Sequence, residues 1–468
     1  MSCSWMLAKP AIEAQLDPGF RPAVLANRTF RKAARDSGNP KPLILALERG
    51  DGTVSRYETV ILPENHPQAE ANNFYAERLV KFLLWQRGGC KVYVGGSEQV
   101  GKYLADCYRE GGLRAFDAKF MGEQVYEKPF EVICCTAAQT PPAKESASPL
   151  GRHLEGCRIG FDLGASDRKV SAVIDGEPVY SEEVVWEPRK NTDPAYHYNE
   201  VMTAIKTAAS KMPRVDAIGG SSAGVYINNH AMVASLFRGI PKDRFHEVKD
   251  MFIRIGEEMG VPLVIVNDGE VTALAGSMSL EDNGVLGIAL GSSEAGGYVT
   301  LDGNITSWLN ELAFCPIDYN PDAPTDEWSG DFGVGARYFS QQCVFRLADG
   351  AGITLPDGEG VTDAERLKAA QDALHSGHEG AHKIWESMGV YMGYALAHYA
   401  EFYELRHVLI LGRCTSGDGG DIIMEHALKV LRQEFPEIAE SVNIQLPDEK
   451  SRRVGQSIAA ASLPDLKS

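Results

Sequence analysis

Glycines, hydroxyls and carboxylates occur together at several places in the chain, and these residue types handle phosphate. The first run is Arg158 to Gly176, with Asp162, Gly164, Ser166 and Lys169 at its centre. It reads as a strand, a tight turn and a second strand. Gly164 permits close backbone approach, and Ser166 with the loop amides could donate hydrogen bonds to phosphate oxygens. Asp162, at the strand end, suits a hydrated magnesium ion, which takes few carboxylates and many waters. A plain β-hairpin with a glycine turn accounts for the same residues equally well. The second run, Gly287 to Gly303, repeats the pattern: an apolar strand enters Gly291-Ser292-Ser293 and another leaves through Gly296 and Gly297. Two such hairpins are what a duplicated fold clamping one nucleotide needs. Neither leads into a helix, so a dinucleotide-binding Rossmann loop is a poor match.

Between these runs, the apolar stretch Val261–Val266 ends at Asn267-Asp268 and a helix begins at once. A carboxylate at that helix N-terminus can take a hydroxyl proton as phosphoryl transfer proceeds. It can also merely cap the helix, a common use of Asp. A last strand-glycine turn, Arg406 to Gly417, places Gly412 and Gly417 where an adenine could lie. His375, His378 and His382 would share one face of a helix, but Gly377 and Gly380 weaken it, and solvated surface histidines are expected.

The elements that must position these residues follow from patterning. At 468 residues the chain is too long for one core, and two or three domains are expected. The first 42 residues read as an arm with a short basic helix. Residues 43–136 read as a small α/β unit, with strands at Leu43–Leu47, Val54–Leu62 and Lys91–Val94 and helices at Phe74–Arg87 and Gln99–Tyr108. Residues 137–156, rich in Pro, Ser and Ala, read as a linker. From Cys157 onward strands alternate with helices, which argues for α/β architecture. The nine cysteines are scattered without a CxxC pair, so buried free thiols are expected in place of a zinc ribbon or a disulfide scaffold. A formal charge of −18 opposes nucleic-acid binding. No apolar run is long enough for a membrane span and no secretory start is present, so a cytoplasmic protein is expected.

In this order, the segments resemble the ROK family of sugar kinases and sugar-responsive repressors, within the actin and hexokinase superfamily. Asp162–Lys169 is similar to the family's first phosphate motif (DIGGTK) and Gly291–Gly297 to its second (GTGIGGG). Val266–Gly276 resembles the NDANAAALGE stretch, Val215–Asn229 (VDAIGGSSAGVYINN) the GIGIPG segment, Leu409–Gly417 the adenosine motif and Arg453–Leu463 the closing helix. The resemblance implies a duplicated actin-like ATPase (ribonuclease H-like) α/β fold with an additional N-terminal α/β domain. Its first lobe would be 157–268 plus 450–468 and its second 269–449. It implies Mg·ATP-dependent phosphorylation of a hexose or amino-sugar hydroxyl with Asp268 as the base. Substrate would be bound by Asn267, Glu311 and Asn228 or Asn229. ATP would be bound by Asp162, Gly164, Ser166, Lys169, Gly291, Ser292, Gly412 and Gly417, and magnesium through water at Asp162. It also leaves room for a homodimer.

The chain departs from the family pattern at several positions. The zinc element GExGH and its cysteine cluster are replaced by Asn310-Glu311-Leu-Ala-Phe314 with Cys315 as the only nearby cysteine, so no structural zinc is expected. Arg413 stands where glycine is usual, and Asp167 puts a negative charge in the first phosphate loop. These departures keep a second reading open, a non-catalytic sugar or nucleotide sensor of the same fold. The N-terminal residues lack a helix-turn-helix, which disfavours a DNA-binding repressor. Alignment of Leu45–Gly50 with Ile159–Gly164, and of Val94–Ser97 with Ile218–Ser221, raises the further idea that 43–136 is a degenerate copy of the actin-like half.

Overall fold

The computed structural model describes residues 4–164, 167–447 and 449–466. Helix α1 (Ala23–Asp36) precedes strands β1 (Lys41–Glu48) and β2 (Val54–Ile61), a hairpin turning at Gly52, whose φ of +79° suits glycine. Helix α2 (Ala71–Arg87), strand β3 (Lys91–Gly95), helices α3 (Glu98–Tyr108) and α4 (Ala115–Lys119) and strand β4 (Glu131–Cys135) follow. Ser97 caps α3 by accepting from the Val100 amide. The sheet order is β2-β1-β3-β4.

Next come β5 (Ala147–Ser148), the antiparallel meander β6 (Cys157–Leu163), β7 (Asp167–Ile174) and β8 (Glu177–Val185), and helix α5 (Pro194–Ala209). Strand β9 (Ala217–Ser222), the hairpin β10 (Val225–Ile227) and β11 (His230–Val233), and helices α6 (His246–Lys249) and α7 (Met251–Met259) lead to β12 (Leu263–Asn267) and α8 (Asp268–Leu280). These strands form a five-stranded sheet of order β12-β9-β6-β7-β8, with β9 parallel to β6 and β12 parallel to β9. Ile159, Phe161, Ile218 and Ile265 from the sheet pack with Val201, Ile205, Phe252 and Ile255 from the helices.

The remainder comprises β13 (Val285–Leu290), β14 (Glu294–Val299), β15 (Ile305–Thr306), α9 (Gln341–Ala348), α10 (Asp363–His375) and α11 (Glu379–Tyr399). Strand β16 (His407–Leu411), helices α12 (Asp418–Glu434) and α13 (Pro436–Ser441), β17 (Asn443–Gln445) and α14 (Glu449–Ala461) complete it. The six-stranded sheet has the order β17-β16-β13-β14-β15-β5. On the five-stranded sheet, Gly160 and Gly219 let α14 approach: a Cβ on either would fall 2.0 Å or less from the Ser457 or Ala460 carbonyl.

The chain forms two compact units: residues 1–146, 288–296 and 308–446, and residues 147–287, 297–307 and 447–468. Residues 1–146 fall in the unit that carries α9 to α13, and the division between units passes within β13 and β14.

The degenerate-copy idea is corrected by strand direction. The aligned segments are β1 with β6 and β3 with β9. Strand β9 runs parallel to β6, pairing Ile159 with Ile218, whereas β3 runs antiparallel to β1, pairing Ile44 with Gly95. The likeness is one of strand-glycine turns, not of topology. Among the described residues, no helix is long and apolar enough to cross a membrane.

Candidate active site

In the second unit, sheet register brings Asp162 and Lys169, two residues expected at phosphate, into one row with Ser221. Asp162 pairs with Ser221 across β6 and β9 and with Lys169 across β6 and β7. The Ser221 hydroxyl donates to Asp162 Oδ1 at 2.8 Å, and Lys169 Nζ lies 3.8 Å from Oδ2 and 3.2 Å from Asp167 Oδ1. Burial pushes the Asp162 carboxyl above its ordinary range, against the pull of Lys169 and Ser221. The Gly164 amide closes the turn on the Asp167 carbonyl at 2.9 Å, and the Gly164 carbonyl accepts from the Trp186 indole at 2.8 Å. Ser166, expected to contact phosphate, lies outside the described residues.

Asp268 opens α8, but it is not the N-cap. Asn267 is: its Oδ1 accepts from the Gly269 amide at 2.8 Å while its Nδ2 donates to the Gly224 carbonyl at 2.8 Å. Asp268 Oδ1 shares the Gly269 amide at 3.0 Å. Burial, and next the charge of Asp162, push the Asp268 carboxyl up to about 6. The Asp162 carboxylate, at the end of β6, thus raises the proton affinity of Asp268 at the start of α8. The start of α8 is also braced from behind. Gly297 lies so close that a Cβ there would sit 1.9 Å from the Gly269 carbonyl oxygen. Thr272, bonded to the Asp268 carbonyl, accepts from Gln456 of α14 at 2.7 Å.

Asn228 and Asn229 form the β10–β11 turn, with φ of 50° and 64°. Asn229 does more than turn the chain: its Nδ2 donates to the Leu263 carbonyl at 2.8 Å and its Oδ1 accepts from the Ile265 amide at 3.0 Å. Its amide thus behaves as a one-residue strand along β12.

In the first unit, Gly291 closes a turn on the Ser293 carbonyl, and its own carbonyl accepts from the Gln341 amide at 2.9 Å, at the start of α9. Ser292 is exposed. Gly412, with φ of 109°, packs on β13 so closely that a Cβ would lie 2.4 Å from the Leu290 carbonyl. Gly417, with φ of 64°, precedes α12, and Arg413 is exposed. Glu311 follows Asn310, whose φ is 52°; its amide donates to the Trp85 carbonyl at 3.0 Å.

Phe314, in place of the family's histidine, is an aromatic packing residue, 4.3 Å from Trp85 and 4.9 Å from Trp328 between ring centroids. Cys315 is a buried free thiol donating to the Phe82 carbonyl. The histidines do not share a helix. Gly377 (φ +81°) breaks the chain between α10 and α11, and His378 caps α11 while His375 and His382 meet Asp418 and Glu386.

Two residues escape the sequence reading. Ser221 sits inside the VDAIGGSSAG segment quoted for its neighbours; pairing β9 with β6 in parallel register would have found it. Glu294 lies within the second glycine run, where its burial is invisible without the fold.

No protein-family model matches the chain, and no curated protein matches its sequence. Solved structures do. A ROK family transcriptional regulator, a homologue of the E. coli MLC protein, superposes with a TM-score of 0.50 at 17% identity over 66% of this chain and 79% of its own. A ROK hexokinase from Thermus thermophilus gives 0.49 at 15% identity over 65% and 97%. A ROK family glucokinase from Streptomyces griseus, in complex with glucose and AMPPNP, gives 0.48 at 18% identity over 65% and 99%. At such identities likeness speaks to fold alone, and the regulator's is the one that carries it: the chain has the actin-like α/β fold of that ROK protein, with additional structure beyond the 66% that matches.

Proposed function

We propose that the protein transfers the γ-phosphoryl group of ATP to a hydroxyl of a hexose or amino sugar in the cytosol. The observation that carries this reading is Asp268. It stands at the first position of α8 with Asn267 taking the cap, its proton affinity is raised to about 6, and its main chain is braced by β14 and α14. A base poised one unit below neutrality is ionised at pH 7 yet basic enough to accept a hydroxyl proton as the phosphoryl group arrives. Lys169 and the turn at Gly164 would face the phosphates, and Gly291, Ser292, Gly412 and Gly417 would line the nucleotide. Asn267, Asn228 and Glu311 would bind sugar.

Magnesium fits the donor set. Asp162 has one oxygen held by Ser221 and faces a second carboxylate across a repulsive gap, as an ion taking one or two carboxylates and several waters requires. When bound, it would neutralise charge on the phosphates. The residues' own work is to aim Asp162, hold Asp268 at the hydroxyl and accept its proton.

A second reading, a sugar or nucleotide sensor without turnover, is favoured by one observation: the Asn229 amide is engaged with the β12 backbone. One solved protein of this fold is a transcriptional regulator, which is compatible with such a role. ADP release with Mg·ATP against hexoses, N-acetylhexosamines and polyols, run beside Asp268→Asn, separates the two. Sugar-dependent turnover lost in the variant supports the kinase; binding without turnover supports the sensor.

A further inference from the structure

The Gly291-Ser292-Ser293 turn is followed at once by Glu294, whose side chain is 3% exposed. Its Oε1 accepts from the Tyr399 hydroxyl of α11 at 3.0 Å, and its Oε2 has no hydrogen-bond partner. Gly335 makes room for that oxygen: a Cβ there would sit 2.0 Å from Oε2. Two titratable groups face the carboxyl, the Tyr399 phenol from α11 and the Cys315 thiol that follows the 312–314 turn. Burial holds both well above their ordinary values, so both are neutral. Gly335 brings only backbone, and among the described residues no cation pairs with Glu294. A carboxylate in such a place has one phenol to stabilise it and is almost wholly shielded from water, so the carboxyl favours its protonated form.

We propose that Glu294 is a positioning residue: its protonated carboxyl, clamped between Tyr399 and Gly335, holds the Gly291–Ser293 turn in the shape that receives nucleotide, and loss of the proton to solvent releases the turn. The inference rests on the reading that this turn binds phosphate. The geometry supports it, because the side chain roots the first residue of β14 while the Gly291 carbonyl roots the other end of the turn on α9. Burial pushes the Glu294 carboxyl up to about 8, against a small pull from the Tyr399 phenol, so the release would fall just above neutral pH.

The test has two arms. Hydrogen exchange of the peptide covering 288–299, corrected for the intrinsic pH dependence of exchange, is followed between pH 6.5 and 9.5 in the absence of nucleotide. Protection in the wild-type protein is expected to fall through about pH 8, to stay flat in Glu294→Gln, and to fall at higher pH in Tyr399→Phe, which removes the group that favours ionisation. Flat exchange in the wild type, or the same alkaline loss in Glu294→Gln, overturns the role of Glu294. In the second arm, binding of a fluorescent ATP analogue should weaken about tenfold for each pH unit above the midpoint in the wild type and not in Glu294→Gln. Wild-type binding that ignores pH overturns the proposal. Exchange that behaves as expected with no analogue bound at any pH overturns the phosphate reading of the turn instead.

Discussion

Replacing Gly297 by alanine should damage the protein more than replacing Gly291, although both belong to the same glycine run. A Cβ at 297 would lie 1.9 Å from the Gly269 oxygen, 2.1 Å from its carbonyl carbon and 2.5 Å from the Glu270 nitrogen. Comfortable carbon contacts begin at about 3.5 Å, so strand and helix must part by about 1 to 1.5 Å. The atoms in the way are backbone in the first turn of α8, which cannot swing aside as a side-chain tip could. Overpacking of this kind costs about 3 kcal/mol, which for a unit of this size lowers Tm by about 6–12 °C. Asp268 is carried on the displaced turn, and a shift of about 1 Å at a reacting group costs about a hundredfold in rate. At Gly291 the nearest atom to a Cβ is the Ser293 oxygen at 3.7 Å, an ordinary contact, so that variant should melt with the wild type. Scanning calorimetry on the pair is the assay. A Gly297→Ala protein with wild-type Tm would refute the bracing of α8 by β14.

Three further outcomes are expected. Asn229→Gly keeps the left-handed turn but removes two hydrogen bonds to β12, and urea unfolding should show a loss of about 2 kcal/mol. Asp331→Asn leaves the buried Arg78 and Arg114 without their shared carboxylate, bonded now at 3.2 and 2.7 Å, and should cost about 3 kcal/mol or more in the same measurement. Because the Asp268 carboxyl is raised in the folded state, its contribution to stability is full below about pH 4 and is lost as pH rises through about 6. Asp268→Asn should therefore melt higher than wild type at pH 7 to 8 and level with it near pH 4, while wild-type kcat falls as pH drops below about 6.

What the sequence made legible was local and periodic. The helix in 74–87, the strands flanking Gly50-Asp51-Gly52 and the hairpin around Gly164 follow from patterning and turn residues whose causes lie within a few positions. The α/β class followed from the alternation of strands and helices after Cys157, and the actin-like fold from the resemblance of the ordered motifs to the ROK family. Ser221 was hidden because its partner lies on another strand and only register reveals the contact. Asn229 reads as a sugar contact because sequence does not show that the β12 backbone takes its amide as a partner. The charges of α2 were equally hidden: Glu77, Arg78 and Lys81 are buried in a network with Arg114, Asp117 and Asp331. Composition cannot tell a solvated charge from one matched inside.

That network bears on why the chain departs from the family pattern after Asn310. Helix α2 ends, as any helix does, with carbonyls that have no partner inside it. Two of them, Gln86 and Trp85, accept the amides of Asn310 and Glu311 at 2.8 and 3.0 Å. The Trp85 ring packs on Phe314, the Phe82 carbonyl takes the Cys315 thiol, and Arg78 with Arg114 binds Asp331. A histidine at 314 would bring ring nitrogens into this aromatic stack, where desolvating them costs free energy; a phenyl ring carries no such penalty. The phenylalanine and the N-terminal residues therefore belong to one arrangement, in which α2 supplies acceptors, a ring and charges to the segment bearing Glu311. On this argument α2 supports the segment bearing Glu311, and cutting it away would expose Phe314 and strand Asp331 together.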